Sequence, residues 1–239
     1  MVNFKSPLIS GTLCKRYKRF LADIILDNGS TVTVHCANPG SMKGLAQEGE
    51  KVWLEERSNP KSKLAYSWKL SQLSDNTLVV VDTTLANKVI LEALQKKAIP
   101  GLEMYVKIRT EIKYGSNSRL DFLLETDCGS LCYLEVKSIS LAESGIGLFP
   151  DSITKRGTKH LNDLWNIVSQ GHRSIILFLI QRTDVFEWDL ACDIDREYCI
   201  AFDRAERNGV EVMAYVSNIS KNAVEIGDEL FRRKSKTKI

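Results

Sequence analysis

The sequence predicts an all-β N-terminal domain followed by an α/β domain, and three observations carry that reading. The chain has 239 residues, enough for one large domain or two modest ones, and its 44% apolar content supports a packed core. Up to about residue 84, short alternating segments are separated by Gly, Asn and Pro, as in a small all-β fold. Beyond that point, helical periods alternate with strongly apolar strands. The expected domains are therefore residues 1–84 and 85–239, and neither contains a repeat or a low-complexity segment.

In the first domain, residues 19–26 read as a strand and Asp27-Asn28-Gly29 as a hairpin turn. Residues 31–36 alternate polar and apolar, Asn38-Pro39-Gly40 breaks the pattern, and residues 51–55 resume it. Asn59-Pro60 breaks it again, and residues 65–73 and 77–81 complete about five strands. Five short strands in so few residues fit a closed barrel of OB type, although an SH3-like barrel has a similar signature.

The second domain opens with helical spacing at Leu85, Val89, Ile90, Ala93 and Leu94, closed by Pro100-Gly101. Residues 105–114 read as a strand. Residues 118–125 and 131–138 follow as a hairpin around Asp127-Cys128-Gly129-Ser130. Asp151 or Ser152 can cap a helix running to about Gln170, with Leu161, Leu164, Trp165 and Val168 on one face and Gly171 as its stop. Residues 174–182 are nearly all apolar, as a strand buried on both faces requires. A helix over 195–207 and a strand over 210–216 finish the domain.

Composition narrows the setting. No apolar run approaches the roughly 18 residues of a membrane span, and the start, MVNFKSPLIS, has no secretory apolar region. The expectation is a cytoplasmic protein without a membrane partner. The cysteines (14, 36, 128, 132, 192 and 199) lack zinc-ribbon spacing and read as reduced core thiols, and the histidines (35, 160 and 172) form no metal motif. A net charge of +3 says little, but its distribution says more. Lys15, Arg16, Lys18 and Arg19 interleave with Tyr17 and Phe20, one aromatic stacking and one belonging to the barrel core. Lys155, Arg156, Lys159 and His160 form a second cluster in the first turns of a helix. Cations mixed with aromatics suit phosphates and splayed bases, and a helix N-terminus adds its own attraction for phosphate. The third cluster, Arg232, Arg233, Lys234, Lys236 and Lys238, reads as a solvated end.

The candidate chemistry lies in the central hairpin, where Asp121 precedes Glu135-Val136-Lys137. Strand residues two apart share a face, so Glu135 and Lys137 project together. If the hairpin registers Asp121 opposite Glu135, all three polar groups meet, and Leu120, Phe122, Leu134 and Val136 line the other side; a one-residue slip undoes this. Two carboxylates are hard oxygen ligands for Mg²⁺ or Mn²⁺, and the ammonium can steady a developing oxyanion. Glu92 and Glu111 are candidates for a third ligand. Arg119 can reach a phosphate or pair with Glu135. The pattern by itself is common in a chain that is 26% charged, and it recurs at Glu111-Ile112-Lys113. With the order helix, three strands, helix, strand around it, the hairpin resembles the catalytic core of the PD-(D/E)XK nuclease superfamily.

Longer strings sharpen the resemblance. They are Arg16-Tyr17-Lys18-Arg19-Phe20-Leu21-Ala22-Asp23, Asn38-Pro39-Gly40-Ser41-Met42, Ser118-Arg119-Leu120-Asp121-Phe122, Glu135-Val136-Lys137-Ser138 and Phe149-Pro150-Asp151. Arg156-Gly157-x-Lys159-His160-Leu161 completes the set. In this order and over almost the whole length, the chain resembles the bacterial sugar fermentation stimulation protein A family. That resemblance implies an OB-fold domain joined to a PD-(D/E)XK nuclease-like domain, sequence-independent DNA binding and a regulatory link to sugar, particularly maltose, metabolism. The acid and lysine positions show no departure, and the basic tail lies outside the motifs. Two functions fit: a Mg²⁺-dependent nuclease, or a DNA-binding regulator that keeps the fold without the chemistry.

Overall fold

The computed structural model describes residues 1–59, 61–115 and 118–233. The turn residue Pro60 and the tail lysines Lys234, Lys236 and Lys238 lie outside the described residues.

After β1 (Val2–Asn3), the first domain is built from β2 (Ile9–Tyr17), β3 (Leu21–Leu26), β4 (Thr31–Cys36), β5 (Lys51–Glu56), β6 (Tyr66–Gln72) and β7 (Leu78–Val80). The sheet runs β4-β3-β2-β5-β6-β7, and a parallel pairing of β4 with β6 closes five strands into the Greek-key barrel of OB type. Leu13, Ile24, Val34, Val52, Leu54 and Trp68 fill its interior. Strand β2 is absent from the sequence reading because its ladder shifts register between Leu13 and Lys15, which breaks the period-2 pattern around Cys14. The strand expected from residue 19 starts at Leu21, and Lys18 and Arg19 instead form a hairpin tip with φ of 46° and 63°. Neither Tyr17 nor Phe20 enters the barrel core; Phe20 is 43% exposed.

The remaining elements are α1 (Thr84–Gln95), β8 (Tyr105–Tyr114), β9 (Ser118–Thr126), β10 (Leu131–Ile139), β11 (Leu141–Glu143), β12 (Ile146–Phe149) and α2 (Lys155–Ser169). They continue with β13 (Arg173–Ile180), β14 (Glu187–Leu190), α3 (Arg196–Arg207), β15 (Glu211–Ile219) and β16 (Ala223–Glu229). The main sheet has the order β1-β16-β15-β13-β10-β9-β8, with β10, β13 and β15 parallel; β11, β12 and β14 form a small second sheet. Strand β13 explains its own composition. Ile175, Leu177 and Leu179 pack on the α1 side, while Ile176, Phe178 and Ile180 pack on the α2 and α3 side.

Two expectations fail locally. Helix α2 is capped by Thr154, whose hydroxyl accepts the Gly157 N–H at 3.1 Å, not by Asp151 or Ser152. Asp151 is drawn off by the barrel: Ser41 Oγ donates to its carbonyl at 2.9 Å and the Met42 N–H to its carboxylate at 3.4 Å. The cysteines are also not all reduced core thiols. Cys192 and Cys199 form a disulfide across the start of α3, with Cα atoms 5.7 Å apart, and Cys128 is exposed. Between them the chain turns on the Ala191 carbonyl, which accepts the Ile194 and Asp195 N–H groups, and Asp195 then caps α3.

Candidate active site

The site begins where β9 leaves β10. Their antiparallel ladder ends at the pair Leu134 and Phe122. One step further, Asp121 faces Glu135, and there the Asp121 side chain replaces a backbone partner: Oδ2 accepts the Val136 N–H at 2.8 Å. Strand β8 bends at the same level, with Glu111 at φ 56° between the pairs Thr110–Phe122 and Ile112–Leu120. The twist alters which way β9 faces. Phe122, Leu134 and Val136 pack toward α1 as expected, whereas Leu120 joins the α2 and α3 cluster instead.

Glu135 is 2% exposed. Its Oε1 accepts from Lys137 Nζ at 2.5 Å and pairs with His160 Nδ1. Arg156 Nε donates to His160 Nε2 at 3.3 Å, so that nitrogen is the acceptor and the ring proton sits on Nδ1, directed at Glu135. Burial alone would raise the Glu135 pKa, but Lys137 and His160 hold it below the ordinary glutamate value. Its other oxygen, Oε2, is buried without a hydrogen-bond partner among the described residues. Asp121 differs. Its Oδ1 accepts from Asn87 Nδ2 at 2.7 Å, yet burial and the neighbouring Glu135 charge push it up to about 6.

These groups form the floor of a cleft of about 620 Å³. Asn87 and Thr83 wall it on the α1 side, Asn38-Pro39-Gly40 and Arg19 on the barrel side, and residues 149–156 opposite. The floor suits a divalent cation. It offers two hard carboxylates, one with a desolvated oxygen that nothing else satisfies and one that burial disfavours as a bare anion. Among the described residues no cluster of three or more His, Cys, Asp or Glu forms a ready-made cage. An ion that keeps most of its waters needs none. The two extra acids are occupied elsewhere: Glu92 pairs with the chain's amino terminus and with Lys96, and Glu111 is exposed and pairs with Arg119 at 3.3 Å. Arg119 therefore does not meet Glu135.

The basic residues divide by role. Arg16 Nη2 donates to the carbonyls of Arg19, Asn38 and Gly40 at 2.8 Å, 2.8 Å and 3.1 Å, so it ties the hairpin tip to the Asn38-Pro39-Gly40 loop instead of reading a phosphate. Lys15 and Tyr17 both engage Asp23 on the barrel surface, at 3.6 Å and 3.0 Å. Lys18 and Arg19 project from the tip, and Lys155, Arg156 and Lys159 from the exposed start of α2. His160, expected among the contacts to nucleic acid, is 3% exposed and supports Glu135 from beneath. Its position was legible: it lies one turn before Leu164, on the buried face of α2. Asn87 was missed because a single polar residue at the margin of an apolar helix stripe carries no sequence signal.

Comparison with known proteins bears on the two-domain architecture. Residues 14–81 match the family model described as the SfsA N-terminal OB domain, and residues 84–223 match the Sugar fermentation stimulation protein RE domain. A sugar fermentation stimulation protein homolog of Ruegeria pomeroyi is 47% identical, covering 96% of this chain and 100% of that protein. One from Shewanella loihica is 42% identical over 93% of this chain and 96% of its own. The solved structure of Pyrococcus furiosus SfsA in complex with Ca²⁺ superposes with a TM-score of 0.88 at 23% identity, over 98% of this chain and 100% of that one. The chain belongs to the sugar fermentation stimulation protein family, with an OB barrel followed by an α/β domain that is the family's RE domain.

Proposed function

We propose that this protein binds DNA without regard to sequence and hydrolyses phosphodiesters with a divalent cation held by Asp121 and Glu135. The observation that carries the reading is the buried, unpartnered Oε2 of Glu135 beside Asp121 at the floor of a cleft edged with cations. Mg²⁺ or Mn²⁺, when bound, supplies a Lewis acid for the phosphate and a water of lowered pKa. Lys137 lies beside the scissile phosphate, its ammonium fixed by Glu135 and only 13% exposed, so its charge acts in a poorly hydrated setting. His160 and Arg156 keep the Glu135 carboxylate from turning away, and Asn87 does the same for Asp121. The Ca²⁺ in the complex of the Pyrococcus furiosus relative supports a cation site of this kind in the family.

In this reading the barrel within residues 1–84 grips and residues 85–239 cut, with β1 lending its strand to the edge of the second domain's sheet. The link to sugar metabolism rests on the relatives' name, and the narrower one to maltose on the family resemblance alone. The test is a Mg²⁺ and Mn²⁺ titration of cleavage on single-stranded, duplex and branched DNA, with Asp121→Ala and Lys137→Ala as controls. Metal-dependent cleavage lost in both variants supports the reading, and cleavage that survives both refutes it. If no DNA is cut but Mn²⁺ raises the melting temperature of the wild type alone, the protein is a regulator that keeps the metal site without the reaction.

A further inference from the structure

We propose that the cleft accepts one strand of DNA, threaded beneath the loop of residues 38–42, and that an intact duplex cannot reach the metal site. The inference rests on the phosphodiester reading above and adds the form of the substrate. Its first support is that the cleft is bridged. The loop leaves the barrel at Ala37, whose carbonyl accepts from Thr83 Oγ1 at 2.9 Å, and lands on Asp151 through Ser41. A Cβ on Gly40 would lie 2.3 Å from the Asp151 carboxylate, so barrel and catalytic domain touch with no space between them. The loop is held taut from inside: Asn38 Nδ2 donates to the Val81 carbonyl, its Oδ1 accepts the Gly40 N–H, and Arg16 clamps two of the loop's carbonyls.

The second support is where the charge leads. Arg156 lines the main cleft and also a second one of about 470 Å³, whose other walls include Lys113, Ser118, Arg119 and Lys159. Arg156 thus borders both clefts, and the basic side chains around them run from Arg19, Lys155 and Arg156 in the first to Lys113, Arg119 and Lys159 in the second. Phe20, exposed next to the cleft-lining Arg19 in the chain, is available to stack on a base. Duplex DNA is stiff over about 50 nm and carries its phosphates on the outside of a rod. Such a rod cannot lower a phosphate between three walls onto a carboxylate as buried as Glu135, whereas a single strand bends at every nucleotide.

The experiment measures binding in EDTA, which separates this proposal from the metal-dependent one. A fluorescent 30-nucleotide strand and the same sequence as a blunt duplex are titrated at several salt concentrations, with single-stranded RNA as competitor. The expected result is at least tenfold tighter binding of the single strand. Lys113→Glu combined with Arg119→Glu should weaken it about tenfold and reduce its salt slope by about 1.4, two contacts at about 0.7 each. Phe20→Ala should cost about tenfold on the single strand and leave the duplex unchanged. Duplex bound as tightly as single strand, or a salt slope indifferent to the double substitution, overturns the proposal. RNA displacing the DNA at lower concentration than DNA itself overturns the choice of DNA. Far-ultraviolet circular dichroism of each variant verifies folding, and all three side chains are exposed.

Discussion

Two lysines in this molecule are held among carboxylates away from water, and they are finished differently. Lys69, on β6, bridges Asp82 at 2.6 Å and Glu55 at 3.2 Å. Every oxygen there is used: Glu55 Oε1 accepts the Lys5 N–H at 2.5 Å, and Asp82 Oδ1 takes both the N–H and the hydroxyl of Thr84 at the start of α1. Lys137 also sits on a buried carboxylate, but Glu135 keeps one oxygen unpaired and Asp121 is left as a reluctant anion. A complete network rigidifies, and an incomplete one of the same composition holds a place for a ligand. The Lys69 cluster joins the barrel to α1, and α1 carries Asn87 to Asp121. The finished network therefore positions the unfinished one.

Substitution should separate the two. The largest effect is expected on chemistry. Lys137→Ala should lower metal-dependent cleavage by at least about 10²-fold, the scale of losing one fixed donor to a developing negative charge. Single-turnover rates on a saturating strand would measure it, and an unchanged rate would remove Lys137 from the reaction. Next is stability at the other lysine. Lys69→Met strands two buried carboxylates and should cost about 3–5 kcal/mol by urea unfolding. Lys137→Met should cost less than half of that, because His160 still donates to Glu135 and a cleft opens beside it. Equal costs would mean that both clusters are structural and that neither is held open for a ligand.

The sequence showed one of these networks and concealed the other. Asp121, Glu135 and Lys137 were legible because a hairpin fixes its own register: alternation on both strands and a turn between them leave one pairing that buries the apolar face. The Lys69 cluster joins side chains from β5, β6 and the segment before α1, and no local period records that contact. The same holds for Glu135 and His160, which meet only because α2 packs across β10. Arg16 was misread for a related reason. A basic run looks the same whether its guanidinium faces solvent or folds back onto carbonyls, and only the closed barrel decides. The Leu120 error came from the bend opposite Glu111, where φ turns positive in a residue whose type gives no warning. Disulfide pairing of Cys192 with Cys199 likewise depended on the turn at the Ala191 carbonyl.

The smallest effect discriminates most finely, because it changes sign with pH. Folded Asp121 titrates near 6 against an ordinary aspartate value of 3.8. Between those values the unfolded chain has lost a proton that the folded chain retains, so folding weakens as pH rises and the full penalty applies above 6. Integrated, the difference amounts to at most about 3 kcal/mol. Asp121→Asn removes the titration, but an amide oxygen can serve Val136 or Asn87 less well than a carboxylate serves both, a loss of about 1 kcal/mol. In EDTA the variant should therefore be more stable than the wild type by about 1–2 kcal/mol at pH 8 and less stable by about 0.5 kcal/mol at pH 4, where the wild type already carries part of the penalty. Glu135, whose pKa is depressed, begins to lose its stabilisation below the ordinary value of 4.5, so at pH 4 that loss falls on wild type and variant alike and drops out of their difference. Urea midpoints at the two pH values give the answer. A variant that is destabilised equally at both would show that Asp121 is an ordinary paired carboxylate, of the same kind as Asp82, and that nothing in the cleft is held ready for a cation.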